Sequence, residues 1–192
     1  MTQSKIFLSL LVSAILLGSH GEAQGITPPA VGTPVPERAK KPPTPAGVAR
    51  EIDWDELLPP DARSRFAASP PPATHDYLGE GGMAAQQVMD FSVNKALDGT
   101  NVKIPGFIVP LDIGKDGLVS EFFLVPYFGA CIHVPPPPPN QIVYVRMSKG
   151  VALDSIYEAY WITGRMKTTN KTTRLGASAY QLDGSKVEIY KY

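Results

Sequence analysis

Cys131 and His133 are the two side chains that offer the most chemistry in this chain. They lie next but one to each other, and Cys131 is the only cysteine. If the backbone there is extended, both side chains leave one face with Cα atoms about 6.6 Å apart, at ~3.3 Å per residue. Such a pair can hold a cation at ~2.3 Å from sulfur and ~2.0 Å from an imidazole nitrogen. This soft and borderline donor set favours Cu(I) or Zn(II). Two ligands do not close a zinc centre, which takes about four. His75, Asp76, Asp112 and Glu121 are the residues available to complete it, although nothing in their spacing requires that they do. Nucleophilic catalysis fits less well, because side chains two apart on a strand point in parallel rather than into hydrogen-bond contact, and no orienting third group follows a recognisable motif. Neither a Cys-x-x-Cys nor a Cys-x-x-Cys-His is present. The plain alternative is a packed thiol beside a hydrogen-bonded histidine, since free cysteine is among the most buried residue types.

The pair stands in Phe128–Val134, directly before Pro135, Pro136, Pro137, Pro138 and Pro139, with Asn140 and Gln141 behind. Five consecutive prolines fix φ, remove five backbone donors and impose a polyproline II course, so the run lies between strands rather than in one. Tyr127 and Phe128 precede it and Tyr144, Tyr160 and Trp161 follow; aromatic rings of this kind clamp prolines or present faces to peptides and sugars. Tyr127, Phe128, Pro135 to Pro139, Asn140 and Gln141 are therefore the candidate binding residues, with Cys131 and His133 as candidate metal ligands for Zn or Cu. The proline run itself could equally be a ligand for an aromatic groove on a partner.

The rest of the chain must hold this hook in place. Residues 1–23 read as a signal peptide: Lys5 is a basic start, Ile6 to Leu17 an apolar stretch too short to span a bilayer, and Gly21-Glu22-Ala23 a small-residue cleavage site. This predicts a periplasmic or secreted protein with no membrane span in its mature part. Lysine plus arginine and aspartate plus glutamate both number 18, and the balance argues against nucleic acid, whose phosphates need a basic excess. One cysteine allows no internal disulfide. The expected state is a monomer. Residues 24–50 form a Pro-rich linker with few large apolar groups, read as an extended spacer. Residues 51–82 are an extension carrying the short docking segment Ile52–Leu58, which would seat on its own domain or on a partner; Pro59-Pro60 ends it.

Residues 83–192 are the folded domain. Period-two patterning starts near Asp98 and predicts strands at Asn101–Leu111, Leu118–Val125, Ile142–Met147 and Tyr160–Lys167. A last pair, Ala177–Leu182 and Val187–Tyr190, would turn at Asp183-Gly184. Pro105-Gly106 predicts a bulge or sharp bend in the first strand, Val151–Ala159 a short helical connector, and Lys167–Arg174 a solvated basic loop. Five or six strands with one bent at a glycine suit a mainly β fold, a small Greek-key barrel of the oligonucleotide/oligosaccharide-binding type, with a proline-rich N-terminal extension; a sandwich is the runner-up.

Ile104-Pro105-Gly106-Phe107, Val125 to His133, the run Pro135–Pro139 and Trp161-Ile162-Thr163-Gly164 occur in an order that resembles a family of exported bacterial proteins built on a domain of unknown function. The likeness covers about Ile52 to Tyr192. It implies an accessory exported protein and carries no activity with it. The reading that follows is a periplasmic binding or adaptor module that works through an envelope protein in a transport or assembly system. The alternative is a periplasmic copper- or zinc-binding protein using Cys131 and His133.

Overall fold

The computed structural model describes residues 28–35, 48–62, 87–130 and 136–191. In chain order the strands are β1 (Arg50–Glu51), β2 (Asn101–Ile113), β3 (Val119–Val125), β4 (Val143–Val151), β5 (Ala159–Thr173) and β6 (Gly176–Ile189). Short 3-10 helices lie at Trp54–Leu57, Lys95–Leu97 and Pro139–Gln141.

Strand β2 is long enough to serve two neighbours, pairing with β5 over residues 101–107 and with β3 from Phe107 onward. That double use closes the sheet. Its order is β2-β3-β4-β6-β5 and back to β2, with β1 added in parallel at residues 102–103 of β2. β4 and β6 run parallel while the other barrel pairs run antiparallel, so the chain forms a closed five-stranded Greek-key barrel of the oligonucleotide/oligosaccharide-binding order. The sandwich is ruled out by the β2–β5 closure.

Alternation along the strands sends Val102, Ile104, Ile108, Phe122, Leu124, Val143, Val145, Ile162 and Leu182 to the interior. Four residues of the opposite face of β2 and β3 are buried as well. Phe107, Val109, Phe123 and Val125 join Ile142, Tyr144, Ala159, Trp161 and Tyr190 in a second apolar layer outside the barrel. One end of the interior is stoppered by the docking segment: Ile52 and Leu57 are buried in the core, and the Trp54 indole N–H donates to the Pro105 carbonyl at 2.7 Å. Asn94 ties this stopper to the next helix, its Nδ2 donating to Glu56 O and its Oδ1 accepting from Ala96 N. Ile52–Leu58 therefore seats on its own barrel.

Four local expectations change. Register runs unbroken through Pro105↔Trp161 and Gly106↔Tyr160, so no bulge forms there; β2 is simply apolar on both faces, which reads in sequence as a phase slip. The irregularities of β2 fall instead between Pro110 and Ile113. Gly106 answers a close approach, since a Cβ there would lie 2.6 Å from the Leu124 side chain. Residues 152–158 form turns rather than a helix, because Ser155 bonds Tyr157 N and the Tyr160 hydroxyl and so competes with helical pairing.

Asp183-Gly184 is not a turn, since β6 is one continuous strand. A Cβ on Gly184 would lie 2.2 Å from Met147 Sδ, and one on Gly164 only 2.4 Å from Asp183 O. The glycines let β4, β5 and β6 converge. The actual turn is at 174–175, and the basic segment before it is the outer half of β5, paired with β6 from Lys171↔Ser178 to Thr173↔Gly176.

Candidate binding edge at Tyr127 and Phe128

The strand β3 ends at Val125, and the chain then turns through Pro126, Tyr127 and Phe128 along the margin of the outer apolar layer. Tyr127 and Phe128 are half-buried against that layer. The Phe128 ring makes edge contacts in two directions, to Phe107 at 5.8 Å and 66° and to Tyr157 at 5.8 Å and 61°. Tyr157 is 39% exposed and Ile156 beside it 50%, so the aromatic series runs from the buried layer to the surface.

The backbone of this margin is a sheet edge, and part of the proline-rich linker lies on it. Pro34 forms an antiparallel bridge with Tyr127. Val35 N donates to Pro126 O at 2.9 Å, Phe128 N to Thr33 O at 2.9 Å, and Gly32 N to Phe128 O at 2.7 Å. Pro34 sits at the position of the bridge whose N–H is not called on, so its missing donor costs no ladder bond. Before it, Thr33 N donates to Ala30 O across a turn with Gly32 in its third position at φ +85°, the left-handed conformation that a type II turn requires there. Val31 then lies over Gly129, where a Cβ would come within 2.8 Å of it.

The other candidates divide. Pro136 and Pro138 are half-buried, whereas Pro137 and Pro139 are buried; Pro137 O accepts from Gln87 Nε2 at 2.7 Å. Asn140 and Gln141 are each 1% exposed and act as internal clamps. Asn140 N donates to Asp90 O and its Nδ2 to Ser92 Oγ, while Gln141 Nε2 donates to Trp54 O at 3.1 Å. The second half of the hook therefore faces inward, binding the stopper helix and the 87–92 segment to the barrel. Cys131, His133 and Pro135 lie outside the described residues, as do His75 and Asp76. Asp112 and Glu121 do face each other across β2 and β3, with Arg146 at 3.7 Å from Glu121. Among the described residues no three of His, Cys, Asp and Glu form a group that could hold a metal ion.

The sequence singled out Tyr127 and Phe128 as candidates but did not reveal their intramolecular neighbour. The signal was a proline flanked by valine and threonine inside a segment otherwise read as spacer. It also missed a groove of about 480 Å³ where β4 and β6 separate beyond Met147↔Gly184. That groove is bordered by Lys149, Asp154, Tyr160, Lys186 and Glu188, charges of both signs over an aromatic residue. Burial raises the Tyr160 phenol above its ordinary range, partly offset by its bond to Ser155.

No curated protein matches the chain. Among solved structures, it is similar to the crystal structure of a DUF3299 family protein from Pseudomonas aeruginosa PAO1 at 2.45 Å resolution. The two share 47% identity over 76% of this chain and 99% of that one, with a TM-score of 0.64. No helix among the described residues is long and apolar enough to cross a membrane. The family model described as "Protein of unknown function (DUF3299)" matches residues 54–189, from the stopper helix to the end of β6, and the chain belongs to that family.

Proposed function

We propose that this protein is an exported, non-enzymatic binding or adaptor module of the cell envelope, monomeric and working through contact with another envelope protein of a transport or assembly system. One observation carries the reading: the aromatic series Phe107–Phe128–Tyr157 leads from the buried outer layer to an exposed end at Tyr157 and Ile156. Aromatic side chains that are anchored at one end and exposed at the other bury large area on contact at little entropy cost, which is why they dominate protein interfaces. The balanced charge of the chain supports a protein partner over a nucleic acid. Export rests on the signal-like residues 1–23.

The test is site-specific photo-crosslinking in the native envelope with the probe at position 157, and at Leu175 as an equally exposed control on the β5–β6 turn, 40% against 39%. A discrete adduct from position 157 that is absent from 175 is expected, carried by a chain shortened by residues 1–23 in the periplasmic fraction. Adducts that are the same from both positions, or none from 157, would overturn the adaptor reading. An unshortened chain in the cytosol would overturn export.

A further inference from the structure

We infer that the edge Pro126–Phe128 is an acceptor for an extended, proline-containing peptide strand, and that residues 30–35 are its built-in occupant, which a partner strand of the same pattern displaces. The binding-module reading supplies only the biological partner; the acceptor itself rests on the geometry of the edge.

Three features make the edge an acceptor rather than a place where chain happens to pass. It offers two carbonyls and one N–H in register, all used by residues 32–35. It tolerates proline at one defined position, opposite Tyr127, because the ladder bonds run from the residues on either side. It has two places for side chains: Val35 packs on the outer apolar layer, and Val31 lies in the space left by Gly129, whose φ of +81° also suits glycine. The pattern read out is a branched aliphatic residue, glycine, any residue, proline, and a second branched aliphatic residue. Backbone pairing supplies affinity and the two apolar positions supply selectivity, as in strand addition generally.

The occupant is lightly held. Of its residues Ala30, Val31, Gly32 and Pro34 are exposed, Val31 at 41%. Among the described residues, three backbone bonds and the two valines join it to the edge. It is joined to the barrel through residues 36–47, so it competes as a tethered, intramolecular ligand whose effective concentration replaces a bulk one. A partner strand that binds more tightly than this takes the edge and releases the N-terminal segment.

The test uses the full chain and a fluorescent peptide with the sequence of residues 28–36. Gly32→Val unseats the occupant through its positive φ without touching the edge, since nothing lies within 4 Å of a Cβ there. If the occupant is seated about nine-tenths of the time or more, the variant binds the peptide at least tenfold tighter than wild type, because apparent affinity scales with the vacant fraction. Peptides carrying aspartate in place of Val31 or Val35 bind neither chain. Equal affinity of the two chains, or binding indifferent to the aspartates, would overturn the inference. That result leaves the cross-linking outcome at position 157 untouched, and failure of the cross-link leaves peptide exchange standing.

Discussion

Tyr144 lies in the outer layer at 2% exposure, with the Lys171 ammonium 4.9 Å from its ring centre. Burial first, and then the Glu121 carboxylate, push its phenol up from about 10 to about 12. The folded state therefore resists ionisation that the unfolded chain allows. Stability is complete below pH 10 and is lost as pH rises from 10 through 12, by about 1 kcal/mol at pH 11. Denaturant melts at pH 9 and 11 check this, and Tyr144→Phe should flatten the difference. Gln141 works at the same scale in the core, where one amide holds Trp54 O and Asn140 O. Gln141→Ala leaves the buried Asn140 carbonyl and the half-buried Trp54 carbonyl short of a donor and should cost about 1–3 kcal/mol by thermal or denaturant melting. A variant as stable as wild type would remove the clamp role.

Among the elements, the junction of β4, β5 and β6 is the most sensitive to a single methyl group. A Cβ at Gly164 would sit 2.4 Å from Asp183 O and 2.9 Å from Gly184 Cα, all backbone, so the strands themselves would have to move. At Gly184 the nearest atom, at 2.2 Å, is the Met147 sulfur, near the end of a flexible side chain. Gly164→Ala should therefore lower stability by about 2 kcal/mol or more and Gly184→Ala by less, as ranked by denaturant midpoints. The proline run is a second element-level case. Replacing Pro136–Pro139 with alanine enlarges the unfolded ensemble by ~0.4–1 kcal/mol at each compatible site, and Pro137 and Pro139 also lose buried surface. The expected outcome is a lower melting temperature with peptide binding at the 126–128 edge retained at low temperature. Unchanged stability would show that the run is not a brace.

For the whole molecule, the barrel type invites a nucleic-acid reading that the charge opposes. Basic and acidic residues number 18 each and the isoelectric point is about 6.8. Neutralising a phosphate backbone needs a basic excess, so a labelled single-stranded oligonucleotide should give no saturable anisotropy change at 50 mM salt up to about 100 µM protein. Saturable binding with a steep salt dependence would reverse that expectation. Fold and function separate here as they do for other widely used barrels, because the strand order sets a scaffold and the side chains on it set the use.

Local chemistry alone determined much of this molecule. Alternation located the strands of the barrel, because a side chain's face follows from its position in a strand whatever the rest of the chain does. The five prolines had to lie between strands for want of donors, and they do so as far as the described residues Pro136–Pro139 extend. What only the tertiary structure decided are the matters of which distant segment comes alongside. β2 looked slipped at Pro105-Gly106 because both its faces are covered, one by the barrel interior and the other by the outer layer. Asp183-Gly184 carried a turn signature, yet β4 pairs alongside it and β6 continues as one strand. Asn140 and Gln141 were candidate binding residues by sequence and are buried as clamps, since their partners are at Trp54, Asp90 and Ser92. The seating of residues 30–35 on Pro126–Phe128 joins positions more than 90 apart in sequence. No local pattern encodes a contact of that span; it exists only once the barrel has closed and presented an edge.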